Sequence, residues 1–163
     1  MSKRKLRVAF RRKREDKTDY RRRLELLKSG KLRLVVRRSL KNISAQVVEY
    51  RPGGDNVLVS AHTNELKKYG WKKARRNTVA AYLVGLLVGL KARKRNISEA
   101  ILDMGLYRNV KGNLLYATLK GALDAGVKIP CSEDILPSGD RIKGLHLKNV
   151  NFDEVKNNII KGN

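Results

Sequence analysis

Read with a period of two, the stretch LRLVVRRSLKNISAQVV (residues 32–48) puts Leu32, Leu34 and Val36 on one side and Arg33, Val35 and Arg37 on the other. That alternation predicts a half-buried strand. It resumes after the polar turn SLKN, with Ile43, Ala45 and Val47 facing one way and Ser44, Gln46 and Val48 the other. A third run, NVLVSAH (56–62), follows RPGGD, whose proline and two glycines supply the dihedrals of a tight connection. Three short strands in quick succession predict an antiparallel meander with one face on the core and the other open to a cationic decoration.

Elsewhere the period lengthens. TDYRRRLELLKSG reads as a short helix with an acid in its first turn, Leu24 and Leu27 three apart and Gly30 as a stop signal. TNELKKYGW predicts a helical turn ending at Gly70, after which Trp71 needs a place to pack. In NTVAAYLVGLLVGLKARKR (77–95) an uncharged run of 12 residues separates Thr78 from Lys91. A membrane span takes about 20 apolar residues, so the run predicts a buried helix and no membrane partner. Ala81, Gly85 and Gly89 form a stripe at intervals of four. Glycine costs about 1 kcal/mol per helix position, so the stripe implies close approach to a neighbour, for which the meander is the expectation. ISEAILDMG predicts a fourth strand around Ala100 to Asp103, and GNLLYATLKGALDAG a helix closed by Gly126 with Leu115, Leu119, Ala122 and Leu123 on one face. Strand, helix and strand in succession favour a parallel crossover. An irregular stretch is expected through SEDILPSGDRIKGLHL, then a small helix in NFDEVKNNIIKG, where Asn151 and Glu154 have capping-box spacing. The fold class is therefore α/β: one domain with a mixed sheet, a three-stranded antiparallel meander plus a parallel strand, packed by helices.

Length agrees with one domain, since 163 residues fall within the usual range of roughly 100 to 200. Charge changes the picture more. The net charge of +23 predicts a polyanionic partner, and it is unevenly placed: residues 1–41 hold 18 Lys or Arg against 4 acids, residues 112–163 hold 7 against 6. Residues 1–17 carry nine Lys or Arg and few apolar residues, so they are expected to be a flexible basic tail that orders on its partner, with the domain proper at 18–163. With only Cys131, His62 and His146, neither a disulfide framework nor a Cys/His zinc site can be assembled from this chain, and no cofactor is expected. The start MSKRKLRVAFRRKRE lacks the apolar region of a secretion signal, and a reducing, cytoplasmic location is expected.

Could the chain act on a nucleic acid rather than hold it? A nuclease needs carboxylates converging on Mg²⁺ from strand ends. Only Glu49 and Asp103 could share an end of the sheet. His62, followed by Thr63 and Asn64, suits a strand-end cap as well as a base; Ser39 beside Arg38 has no histidine in its motif, and Cys131 follows Pro130 as a plain small residue. No catalytic residue is assigned. By contrast the basic clusters SKRKLRVAFRRKRE, DYRRRLELLK, VVRRSLKN, KKYGWKKARRN and KARKRN are confined to residues 3–96 and exceed what solvated faces require. Phe10, Tyr20, Tyr69 and Trp71 are interleaved with them and could stack on unpaired bases, although Tyr69 and Trp71 could equally be core at a helix end. The common duplex-DNA motifs are missing, which favours structured RNA. Lys3, Arg4, Arg7, Arg11, Arg12 and Arg14 are the expected phosphate contacts of the tail. Arg21, Arg22 and Arg23 are expected on one helical side, Arg37, Arg38, Ser39 and Asn42 along an RNA-facing strand-turn edge, and Lys72, Lys73, Arg75 and Arg76 in the fourth cluster.

Three long segments also carry a resemblance: KTDYRRRLELLKSGKLRLVVRRSLKNISAQVVEY, ELKKYGWKKARRNTVAAYLVGLLVG and GNLLYATLKGALDAGVKIPCSEDILPSGDRIKGLHL. They closely resemble the large-ribosomal-subunit protein family that binds 5S ribosomal RNA, the L-eighteen family, in its archaeal form. The resemblance implies a ribonuclease-H-like mixed α/β fold and a basic N-terminal extension lying on 5S rRNA. It also implies a place in the central protuberance, where 5S rRNA is attached to the large-subunit rRNA beside neighbouring large-subunit proteins, and no catalysis. The turn after the first strand carries Leu40, where the family often has a polar residue. The alternative from a different class is a generic polyanion binder, an RNA chaperone or DNA-compacting protein without shape preference.

Overall fold

The computed structural model describes residues 8–147 and 151–162, so the expected phosphate contacts Lys3, Arg4 and Arg7 lie outside the described residues. The predicted meander is present as β1 (Arg33–Arg38), β2 (Ile43–Glu49) and β3 (Asn56–His62). Both pairings are antiparallel, and Leu34 lies opposite Val47 and Val36 opposite Ala45. These four side chains, with Ile43, are buried, as the alternation requires. A fourth strand, β4 (Ile101–Asp103), adds in parallel to the other side of β1, so that the sheet order is β3-β2-β1-β4. β1 is interior where β4 pairs with it, at Arg33, Leu34 and Val35, and Arg37 and Arg38 lie beyond the residues that β4 pairs.

Two helices cover the apolar face. α3 (Thr78–Lys94) starts where the Asn77 side chain accepts the Ala80 N–H at 2.7 Å, and it is buried on almost every side through Gly89. α4 (Leu114–Asp124) is capped in the same way by Asn113, which accepts from the Leu115 N–H at 2.6 Å. The glycine stripe of α3 meets α4, and not the meander as expected. A Cβ at Gly85 would run into the Thr118 backbone, and one at Gly121 of α4 into the Tyr82 carbonyl. α3 also packs on β2 and β3.

The stretch expected to be irregular contains a 3-10 turn at Glu133–Ile135 and a short helix, α5 (Gly139–Lys143). α6 (Phe152–Gly162) follows, and the two residues with capping-box spacing meet side chain to side chain, the Asn151 amide donating to Glu154 Oε2 at 3.0 Å. Trp71, after the 3-10 turn Glu65–Tyr69, is buried and its indole N–H donates to the Ala74 carbonyl at 3.1 Å. It packs rather than stacks. Tyr69 is partly buried against the same core.

At the other end of the chain, α1 (Arg11–Arg14) is a single exposed helical turn and α2 (Tyr20–Lys28) is a nine-residue helix. The acid expected in the first turn of α2 is its cap: Asp19 Oδ1 accepts from the Arg21 and Arg22 N–H groups at 3.0 and 3.2 Å. Phe10 and Tyr20, both exposed, meet with ring centroids 5.6 Å apart and tie α1 to α2.

Candidate nucleic-acid interface

The arginine that alternation assigned to the open face is among the most buried side chains. Arg33 is 2% exposed. Its Nη1 donates to Asp103 Oδ2 and its Nη2 to Asp55 Oδ2, both at 2.7 Å. Asp103 is shared, because Arg37 Nη2 donates to Asp103 Oδ1 at 2.9 Å while Arg37 Nη1 reaches the carbonyls of Val36 and Asp103. Asp55 is shared as well, with Arg23 Nη2 donating to both its oxygens at 2.9 Å. Burial by itself would raise the pKa of both carboxyls. At Asp103 the hydrogen bond and charge of Arg37, the Gly105 N–H and Arg33 outweigh burial and hold the pKa below the usual carboxylate value. At Asp55 the guanidiniums of Arg33 and Arg23 have the same effect.

The two acids weighed as a nuclease pair therefore do not converge. Asp103 is a counter-ion, and Glu49 lies separately, where Arg51 and Asn56 hydrogen-bond it. Period-two reading missed Arg33 because its partners come from the β2–β3 turn and from β4, 22 and 70 residues away. The available signal was a pair of isolated acids, Asp55 and Asp103, at the ends of elements that must pair beside an arginine-rich strand.

Around this network lies a cleft of about 350 Å³ between the α1–α2 segment and the polar face of the sheet, lined by Arg12, Arg22, Arg23, Arg37, Asp103 and Tyr107 among others. Its guanidiniums are all engaged: Arg12 Nε donates to Thr18 Oγ1 at 2.8 Å and Arg22 Nη1 to the Gly105 carbonyl at 2.9 Å. Consecutive helical residues are about 100° apart, so Arg21, Arg22 and Arg23 do not share a side. Arg22 and Arg23 turn inward onto the domain, and Arg21 is exposed without a side-chain partner among the described residues. In the tail, Arg11 and Lys17 both reach Glu15, at 3.5 and 2.8 Å, whereas Arg14 is exposed and has no side-chain partner among the described residues.

The remaining candidates gather at the end of the sheet where β1 turns into β2. Ser39 and Asn42 close that turn: the Ser39 N–H donates to the Asn42 carbonyl at 2.8 Å, and the Asn42 N–H to Ser39 Oγ at 3.0 Å. Asn42 Oδ1 also accepts from Thr63 Oγ1 at 3.1 Å. Arg76 Nη1 donates to the Leu40 carbonyl at 3.3 Å and Arg75 donates to Asn64 Oδ1, which brings the 72–76 loop beside the turn. Lys72 and Lys73 are exposed on that loop, and Leu40 stands at the turn's tip, 86% exposed. Arg38 differs from Arg37 in having no counter-ion. Its guanidinium lies 4.9 Å from the centroid of the Tyr107 ring, and the Tyr107 hydroxyl donates to the Arg38 carbonyl at 2.6 Å.

Among the described residues no group of three or more His, Cys, Asp and Glu could hold a metal ion, and no helix is long and apolar enough to cross a membrane. His62 Nδ1 accepts the Asn64 N–H at 3.1 Å as a strand-end cap, and Cys131 is exposed.

A mixed α/β domain that ties up Asp55 and Asp103 internally and leaves Arg14, Arg21, Arg38, Lys72 and Lys73 exposed without a carboxylate partner among the described residues has the make-up of a structural protein that faces nucleic acid. Comparison with known proteins narrows the class. Residues 4–99 and 90–132 match the family described as "Ribosomal large subunit proteins 60S L5, and 50S L18". The chain is 55% identical over 145 residues to the large ribosomal subunit protein uL18 of Methanococcus maripaludis, a match spanning 89% of this chain and 75% of that one. The chain belongs to this family of large-ribosomal-subunit proteins, whose members bind rRNA in the ribosome.

Proposed function

We propose that the chain binds 5S rRNA and helps attach it to the large-subunit rRNA in the central protuberance, beside neighbouring large-subunit proteins, in the cytoplasm and without a catalytic role. The observation that carries this reading is the segregation of cations. Asp55 and Asp103 neutralise Arg23, Arg33 and Arg37, whereas Arg14, Arg21, Arg38, Lys72 and Lys73 keep exposed charges with no carboxylate partner among the described residues. A rigid end of the sheet and a basic arm can together follow an irregular path of phosphates. In this division residues 1–17 are the arm and 18–163 the domain, and Ser39, Asn42, Arg75 and Arg76 hold the geometry on which the free cations are presented.

Sequencing the RNA that co-purifies with the chain from its own cells tests the assignment, and 5S rRNA is the expected species. A competition assay tests the generic alternative. At near-physiological salt, excess bulk tRNA or DNA should leave most 5S binding intact, and loss of all binding would make the chain a generic polyanion binder.

A further inference from the structure

A second cleft, of about 580 Å³, shares Leu106 and Tyr107 with the first. It lies beyond the carboxyl ends of β1 and β4, which are adjacent and parallel. From there the chain leaves in opposite directions: β1 turns back into β2, and β4 leads through residues 104–113 to α4. The two exits leave a crevice at this end of the sheet. The volume falls in the range of about 300–1,000 Å³ that accommodates small molecules.

Its lining is distinctive. Arg38, Arg108 and Arg141 approach it from three separate segments, and no Asp or Glu lines it. Arg108 and Arg141 are exposed, and their side chains have no hydrogen-bond or ion-pair partner among the described residues. Arg38 is held over the Tyr107 ring, which presents a flat cationic and aromatic pair. Leu106 and Val110, 53% and 56% exposed, supply apolar surface on the rim. The first residues of α3 and α4 also line the cleft, so both helix dipoles add positive potential to it. Guanidiniums without counter-ions ask for an oxyanion, and a flat π surface with apolar rims asks for an aromatic plane. One chemical unit offers both.

We propose that this cleft receives an unpaired nucleotide of ribosomal RNA, its phosphate between Arg108 and Arg141 and its base against the Arg38–Tyr107 pair. A base within a duplex is already stacked and its plane is inaccessible, so the occupant comes from a loop, a bulge or a strand end. An acidic protein segment would satisfy the guanidiniums and leave the aromatic surface unused. The proposal rests on the 5S-binding reading given above, and the nucleotide it concerns is one of 5S rRNA.

The test uses the full chain and three variants, titrated with salt against 5S rRNA and against a shuffled RNA of the same length. Arg108→Gln with Arg141→Gln removes two exposed charges, so the melting temperature should stay that of the wild type. Each phosphate on a single strand contributes about −0.7 to the slope of log K against log salt, and the double variant should be shallower by up to that amount. Tyr107→Leu should weaken binding roughly tenfold through lost stacking, and Tyr107→Phe, which keeps the ring, should restore it. Ultraviolet cross-linking of 4-thiouridine-substituted RNA should tag residues 106–110. Wild-type slopes in the double variant, together with no cross-link there, would overturn the proposal. That failure differs from failure of the 5S assignment, which would show as equal wild-type affinity for 5S and shuffled RNA.

Discussion

Two arginine-lined clefts meet at Tyr107, and they differ in one respect. In the first, between α2 and the sheet, Arg23, Arg33 and Arg37 donate to Asp55 and Asp103. In the second, beyond β1 and β4, three arginines face an opening that no carboxylate lines. A guanidinium committed to carboxylates in a buried network supports the fold, and breaking that pairing leaves a charge with nothing to replace water. A guanidinium held over a ring on the surface costs the fold little and remains available to a phosphate or a base. High net charge is therefore two populations, and only the second should set affinity for RNA.

The largest consequence concerns the first cleft. Asp103→Asn should destabilise the domain by about 3–5 kcal/mol, because Arg33 would keep one counter-ion and Arg37 none. Denaturant midpoints at constant m-value measure it, and a loss below 1 kcal/mol would mean that the network is dispensable. In the tail the effect should appear in affinity alone. Deleting residues 1–17, with their nine positive charges, should make the RNA salt slope shallower by several units, at up to about 0.9 per phosphate, and leave the unfolding midpoint nearly unchanged. An unaltered slope would reduce the arm to a solvated appendage.

A smaller effect follows from pH. The carboxyls of Asp55 and Asp103 have depressed folded-state pKa values, so in acid the unfolded chain binds more protons than the folded one. Their contribution is complete above the unfolded value of about 3.9 and is lost as pH falls through the depressed values. Melting temperature should fall over that acid range in the wild type, and Asp103→Asn should flatten the fall. Parallel curves would assign the acid sensitivity elsewhere.

Much of the fold was legible because it follows from local periodicity. The three antiparallel strands, the helix from Thr78 and the parallel strand ending at Asp103 each carry their signal within about 20 residues. What was not legible depends on which element lies beside which. Gly85 announces a close approach, and only the crossover decides that Thr118 rather than the sheet makes it. Arg33 alternates like a surface residue, yet β4 and the β2–β3 turn bring two carboxylates over it. The basic clusters point to a polyanionic partner from charge alone. The division of Arg37 from Arg38, neighbours on one strand, needed the positions of Asp103 and Tyr107.

Those neighbours also allow the most direct test. Arg37→Gln and Arg38→Gln remove the same charge from adjacent positions, and the measurement is affinity for 5S rRNA at one near-physiological salt concentration, with the unfolding midpoint of each variant as control. Arg38→Gln should weaken binding roughly three- to tenfold at an unchanged midpoint. Arg37→Gln should lower the midpoint and, at a temperature where the variant is folded, bind RNA within twofold of the wild type. If Arg37→Gln weakened RNA binding as much as Arg38→Gln while its midpoint stayed that of the wild type, the division between arginines that hold the fold and arginines that hold the RNA would be wrong.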